Sequence, residues 1–164
     1  MNLNNLVYVL TCISFTVIIG AGIYEHVAIW PHAFSEPPKS LTIFQGAYAL
    51  NSAPFWKYIH PITLALFIIT LILNWHSARK FHVLIPMAVY VIVIIVTFTF
   101  FVPELISMIT TKYSDTIDES LQQRGNTWIN LSLIRLLILL VMAIVLLMGL
   151  IKPGIKLQPP LVNE

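Results

Sequence analysis

The stretch Gly20-Ala-Gly-Ile-Tyr-Glu-His-Val-Ala-Ile-Trp30 closes an apolar run that begins near Leu6. The length of that run decides the fold. About 25 helical residues, at about 1.5 Å each, cross a hydrocarbon layer of about 30 Å with some tilt. Pro31 follows and is expected to stop the helix. Inside the run stand a carboxylate and an imidazole, Glu25 and His26. An ionisable group in hydrocarbon is costly, so it marks a functional position whose partner must be sought elsewhere in the chain. Gly22, Ala21, Ile18 and Ser14 share a helix face with Glu25. Small residues there let a second helix approach closely, so this face is expected to point inward. His26 lies about 100° further round.

Three more apolar runs follow, over about residues 55–76, 82–102 and 126–151. The chain of 164 residues is 58% hydrophobic and only 10% charged, where soluble domains have about a quarter of their residues charged. The expected fold is all-α. It is a four-transmembrane-helix bundle forming one domain over residues 1–156, with a short tail at 157–164. A net charge of +2 without a basic run argues against a nucleic-acid partner. Met1 to Asn5 carry no Lys or Arg, and the first run is too long for a cleavable leader, so it reads as a span. The single cysteine, Cys12, lies mid-span and reads as a small buried apolar residue.

Between the first two spans, Leu41, Phe44 and Tyr48 recur at helical spacing behind Ser40, a candidate N-cap. A short amphipathic helix is expected there, lying over the outer end as a lid. Arg79, Lys80, Lys152 and Lys156 cluster on the opposite side with few acids. The positive-inside rule then places both termini in the cytoplasm, and the expected setting is a bacterial inner membrane.

Each span contributes polar groups to an inward stripe at one level. Glu25 ends span one, and His60 opens span two ahead of Thr63, Phe67 and Asn74. Tyr90, Thr97, Phe101 and Glu104 line span three. Trp128, Ser132 and Arg135 share a face of span four. Arg135 stands about nine residues, hence about 14 Å, inside. Its guanidinium stays charged and needs an anion, and Glu25 is the expected partner. A pair of that kind can fix helix register or serve a reaction, and the sequence leaves both open. Glu25, His60 and Glu104, with His26 or His32, are of metal-ligand type. No local spacing such as Glu-x-x-His supports a metal site, and no cofactor is named.

The stretch from Gly20 to Pro31, the Phe100-Phe-Val-Pro-Glu104 segment, and the Trp128, Ser132, Arg135 spacing together resemble the anthrone oxygenase-like family of small four-helix membrane proteins. The resemblance covers nearly the whole chain in span number and loop length. Most bacterial members of that family have no assigned function, whereas fungal members oxidise anthrones to anthraquinones with O₂ and no obvious cofactor. It implies that Glu25, Pro103, Trp128 and Arg135 fall at family positions. Ser132 stands where many relatives carry a histidine.

The function expected on these grounds is an oxygenase or oxidoreductase acting on a lipophilic aromatic substrate. Glu25, His60 and Arg135 would be its catalytic groups, and Phe101, Trp128 and Ser132 would bind the substrate. The alternative is a non-enzymatic membrane subunit or lipophile-binding protein. The partners implied are the bilayer and a lipophilic small molecule. The sequence does not fix oligomeric state, a homo-oligomer included.

Overall fold

The computed structural model describes residues 2–154. Helix α1 (Leu3–Tyr24) begins at Asn2, whose side chain accepts the Asn4 amide. It does not stop before Pro31. It passes through a π-helical turn, Glu25–Ile29, into α2 (Trp30–Ala33), making one continuous run, Leu3–Ala33. Span two is α3 (Ala53–Leu73). Span three joins α4 (Lys80–Val96), a second π-helical turn (Thr97–Phe101) and α5 (Val102–Ile109). Span four is α6 (Glu119–Met148), closed by a 3-10 turn, Gly149–Ile151. These are four helices long and apolar enough to cross a membrane.

The two π turns share a cause that can be read from the chain. Pro31 and Pro103 each stand six residues after the first residue of a π turn. Proline has no amide hydrogen, and its ring presses on the carbonyl four residues earlier. Those carbonyls belong to Val27 and Thr99, inside the two turns. The helix stays intact by widening instead of breaking. The Trp30 amide reaches Glu25 O, and the Val102 amide reaches Thr97 O. Single π turns of this kind are frequent at functional sites.

Helix α1 packs against α3 and α6, and α4 packs against the same two helices. The interior forms two apolar clusters. The one toward the start of α1, labelled inner with no side of a membrane implied, includes Tyr8, Phe15, Phe67, Tyr90, Leu139 and Leu146. The one at the opposite end of the bundle, labelled outer, includes Trp30, Phe34, Leu41, Phe101, Met108 and Trp128. The opposite faces of the same helices expose large apolar side chains, with Val27 at 75% and Ile72 at 68% exposure. Soluble monomers rarely expose contiguous apolar surface on this scale, whereas hydrocarbon accepts it without cost.

The sequence counts Arg79 as one of the loop cations, but it is buried in the structure. It donates from Nε to Lys152 O at 2.9 Å and from Nη1 to Asn5 Oδ1 at 2.7 Å. Its guanidinium also lies 5.4 Å from the Tyr8 ring centre. It therefore ties the start of α1 to the carbonyl end of span four, where a cation is favoured. Arg79→Leu removes both bonds and is expected to lower unfolding free energy by about 3 kcal/mol, since hydrogen bonds to charged groups contribute about 1.5–3 kcal/mol each. Thermal or denaturant unfolding in detergent measures this.

The expected amphipathic helix over the outer end is shorter than the spacing suggests. It is a 3-10 helix, Lys39–Phe44, after a cis Pro37–Pro38 bond, and Leu41 is its buried residue. Tyr48 is fully exposed instead of sharing the Leu41 face. Ser40 is not an N-cap: its hydroxyl donates to Ala33 O and accepts the Glu36 amide. This segment is fastened to the far outer loop. Gln45 Nε2 donates to Ile109 O at 2.8 Å, and the Asp118 amide donates to Pro37 O at 2.9 Å. Asp118 caps α6 by accepting the Leu121 amide. The Ser120 hydroxyl and that amide hold the Asp118 carboxyl below its usual range. The cap is therefore fully formed above the ordinary carboxylate range and is lost only as pH falls through the lowered value.

Candidate functional site

The two apolar clusters do not merge, and the break between them is where the polar residues stand. Along α1 the inner cluster ends at Ile19 and the outer begins at Ile29, with Glu25 and His26 between them. Along span three the break falls at Thr97, the first residue of the second π turn. In α6 Ser132 and Arg135 lie between Trp128 and Leu136. A polar seam thus crosses the interior at the level of both π turns.

Arg135 holds the centre of the seam. One guanidinium nitrogen donates to Thr97 Oγ1 at 2.9 Å and the other to Ser132 Oγ at 2.8 Å. Its central carbon sits 4.3 Å from the Phe101 ring centre, a cation–π distance. The expected Glu25–Arg135 ion pair is not formed. The salt bridges among the described residues are Lys39–Glu36 and Arg124–Glu104. Arg135 is thus fixed by two neutral hydroxyls and a ring face, with no carboxylate within bonding distance.

Glu25 is half-buried and accepts from Trp56 Nε1 at 3.0 Å. Trp56 stands in the first turn of α3. Its ring stacks on His60 at 5.3 Å with 22° between planes. His60 Nδ1 lies 2.7 Å from the Tyr90 hydroxyl, and Tyr90 is wholly buried. A chain of contacts therefore runs Glu25, Trp56, His60, Tyr90 across three spans. Sequence spacing could have found the Trp56–His60 step, since the two residues are four apart on one helix. Tyr90→Phe removes the imidazole's partner and is expected to cost about 1 kcal/mol of unfolding free energy, checked by the same denaturant titration.

The stripes themselves face inward as expected. Thr63, Phe67 and Asn74 are wholly buried, and Ser132 and Trp128 nearly so. Glu104 does not reach the seam. It pairs with Arg124 at 2.8 Å near the outer end, where both side chains are part-exposed. Phe101 and Trp128 are buried and in mutual edge contact, and Trp128 Nε1 donates to Phe101 O at 3.0 Å. Trp30 packs edge-on to Trp128 at 4.9 Å, and its own Nε1 is buried without an acceptor. His32 is exposed. Among the described residues no three His, Cys, Asp or Glu side chains gather as a metal site. Two concavities stand out. One is an open outer cleft lined by Lys112, Asp118 and Glu119, and the other is a lipid-facing groove beside His26.

No protein-family model matches the chain, and no characterised protein or solved structure is detectably similar to it.

Proposed function

We propose that this chain is an integral membrane four-helix bundle that binds an acidic, lipophilic hydroxyaromatic molecule at the polar seam and oxidises it with O₂. One observation carries the reading: Arg135 is held rigidly in an apolar span by Thr97, Ser132 and Phe101, and no carboxylate neutralises it. A charge kept in hydrocarbon without a paired anion is costly. An anionic guest supplies the missing partner. Phe101 and Ser132, engaged by the guanidinium, aim it, and Trp128 walls the outer side.

For an anthrone, loss of a ring-methylene proton gives an enolate. Arg135 stabilises the developing oxyanion, the expected source of rate. His60 takes the proton, or Glu25 does, each oriented by its hydrogen-bond partner. Reaction with O₂ leaves one oxygen atom as the new quinone carbonyl, and the other departs in water with the two methylene hydrogens. The resemblance stated above agrees with this chemistry. The proposed setting is a bacterial inner membrane, and both termini are placed inside because Arg79, Lys80 and Lys152 gather at one end.

A second reading is favoured by one observation. Glu25, His60 and Arg135 each already have a protein hydrogen-bond partner, as a register-setting network in a non-enzymatic subunit would. One experiment separates the two. Purified protein in lipid nanodiscs is given an anthrone in air, and quinone absorbance and O₂ uptake are followed. The oxidase reading expects one O₂ consumed per quinone formed, well above the empty-nanodisc rate. A rate equal to empty nanodiscs sinks it in favour of the network.

A further inference from the structure

The two ends of the bundle carry different charge. Among the described residues the carboxylates are Glu25, Glu36, Glu104, Asp115, Asp118 and Glu119, and each stands at the seam or beyond it, away from the start of α1. The end where α1 starts holds Arg79, Lys80 and Lys152 and none of those carboxylates. Arg79 is buried on the neutral oxygens of Lys152 and Asn5, which leaves its charge uncancelled. The next residue, Lys80, opens α4. Its Nζ lies 3.8 Å from the Trp75 ring centre and 5.7 Å from that of Phe81, both within cation–π range. The ring faces hold the ammonium in place but offer no oxygen to its N–H groups. No carboxylate among the described residues pairs with it. Both rings are exposed, Trp75 at 45% and Phe81 at 63%. Exposed aliphatic surface continues from them toward the middle of the bundle, through Ile72 on α3 and Ile85 on α4.

We infer that the turn joining α3 to α4 binds the headgroup of an anionic phospholipid, with the phosphate oxygens accepting from Lys80 Nζ and the acyl chains lying on Ile72 and Ile85. Charge and position together commit the occupant. A ring-held cation at an end without carboxylates calls for an anion, and basic groups at a span's end attract anionic lipid. The aliphatic surface running from it calls for hydrocarbon, and exposed aromatic rings of this kind stand at headgroup level. A soluble anion meets only the first demand, and a neutral lipid only the second. The site shares no residue with the seam and stands whether or not the seam is catalytic.

The test compares dioleoylphosphatidylglycerol with dioleoylphosphatidylcholine, which share chains and phosphate and differ in net charge. Native mass spectrometry of the full chain from detergent micelles reads retention of each. The anionic lipid is expected to bind about fivefold more tightly, the effect of one cation at an anionic headgroup. Lys80→Gln is expected to abolish that preference and Lys80→Arg to keep it. Lys57→Gln, which removes an exposed cation at the opposite end, is expected to leave it unchanged. Equal retention of the two lipids, a preference that survives Lys80→Gln, or one that Lys80→Arg or Lys57→Gln removes overturns the proposal. Displacement of the anionic lipid by an equal concentration of glycerol phosphate also overturns it, in favour of a soluble-anion site.

Discussion

Arg135→Gln is expected to slow anthrone oxidation by about a hundredfold or more while leaving the protein at least as stable as before. The rate loss follows from the role assigned to the guanidinium, because removing one donor at a developing oxyanion lowers kcat by about 10²–10³. The stability half separates a functional charge from a structural one. Arg135 has only neutral partners in Thr97, Ser132 and the Phe101 ring. Glutamine keeps an amide that reaches the hydroxyls and removes the cost of an unneutralised charge in hydrocarbon. A residue that weakens the fold yet is needed for turnover fits the usual trade between stability and activity. Steady-state quinone formation and a denaturant titration on the same preparation measure both halves. A stability loss of about 2 kcal/mol or more with unchanged turnover assigns Arg135 to helix register instead.

Gly125→Val is expected to be the most damaging single change at the outer end. An added Cβ at Gly125 would lie 2.2 Å from Phe34 Cδ1 and 2.5 Å from Phe34 Cγ. The atom nearest the backbone of that ring is already too close, so rotating the side chain tip gives no escape. Phe34 is 2% exposed and belongs to the cluster holding Trp30, Leu41 and Trp128. Overpacking of a filled core costs about 1–3 kcal/mol. Here the strain falls where α6 meets the first outer loop, so that loop should loosen first. Limited proteolysis between residues 34 and 52 is expected to speed up, with the unfolding midpoint lowered. Unchanged cleavage would mean that the outer cluster yields to the added side chain.

The number of spans was legible because hydropathy reports what hydrocarbon selects. The inward stripes were legible because helical periodicity is fixed: Ser14, Ile18, Thr63, Phe67 and Tyr90 are all buried as that period requires. The ends of the spans were less so. Span four starts at Glu119, seven residues before the apolar run, because Asp118 caps a polar helix that hydropathy cannot register. Span one runs past Pro31 because the π turn absorbs the proline, and single-residue breaker rules do not anticipate a widened turn. In the seam, residue type pointed to Glu25, His60 and Arg135 correctly as inward polar groups but mispaired them. Coulomb's law favours Glu25 with Arg135, yet side-chain reach gave Glu25 to Trp56 and Arg135 to Thr97. Glu104 went to Arg124, on the helical extension that precedes the apolar run of span four. Partner choice depends on helix rotation to within one side chain, and periodicity does not resolve that.

The central claim is that Arg135 holds an oxyanion inside the membrane, and it can be measured without knowing the natural substrate. A naphthol is bound to the protein in nanodiscs, and its absorbance is followed across pH, with empty nanodiscs as reference. A fixed cation beside the hydroxyl stabilises the ionised form. The wild-type protein is predicted to hold the probe as naphtholate at a pH where the reference is still neutral, and Arg135→Gln is predicted to abolish that shift. Identical titration curves for wild type, variant and empty nanodiscs would contradict the account.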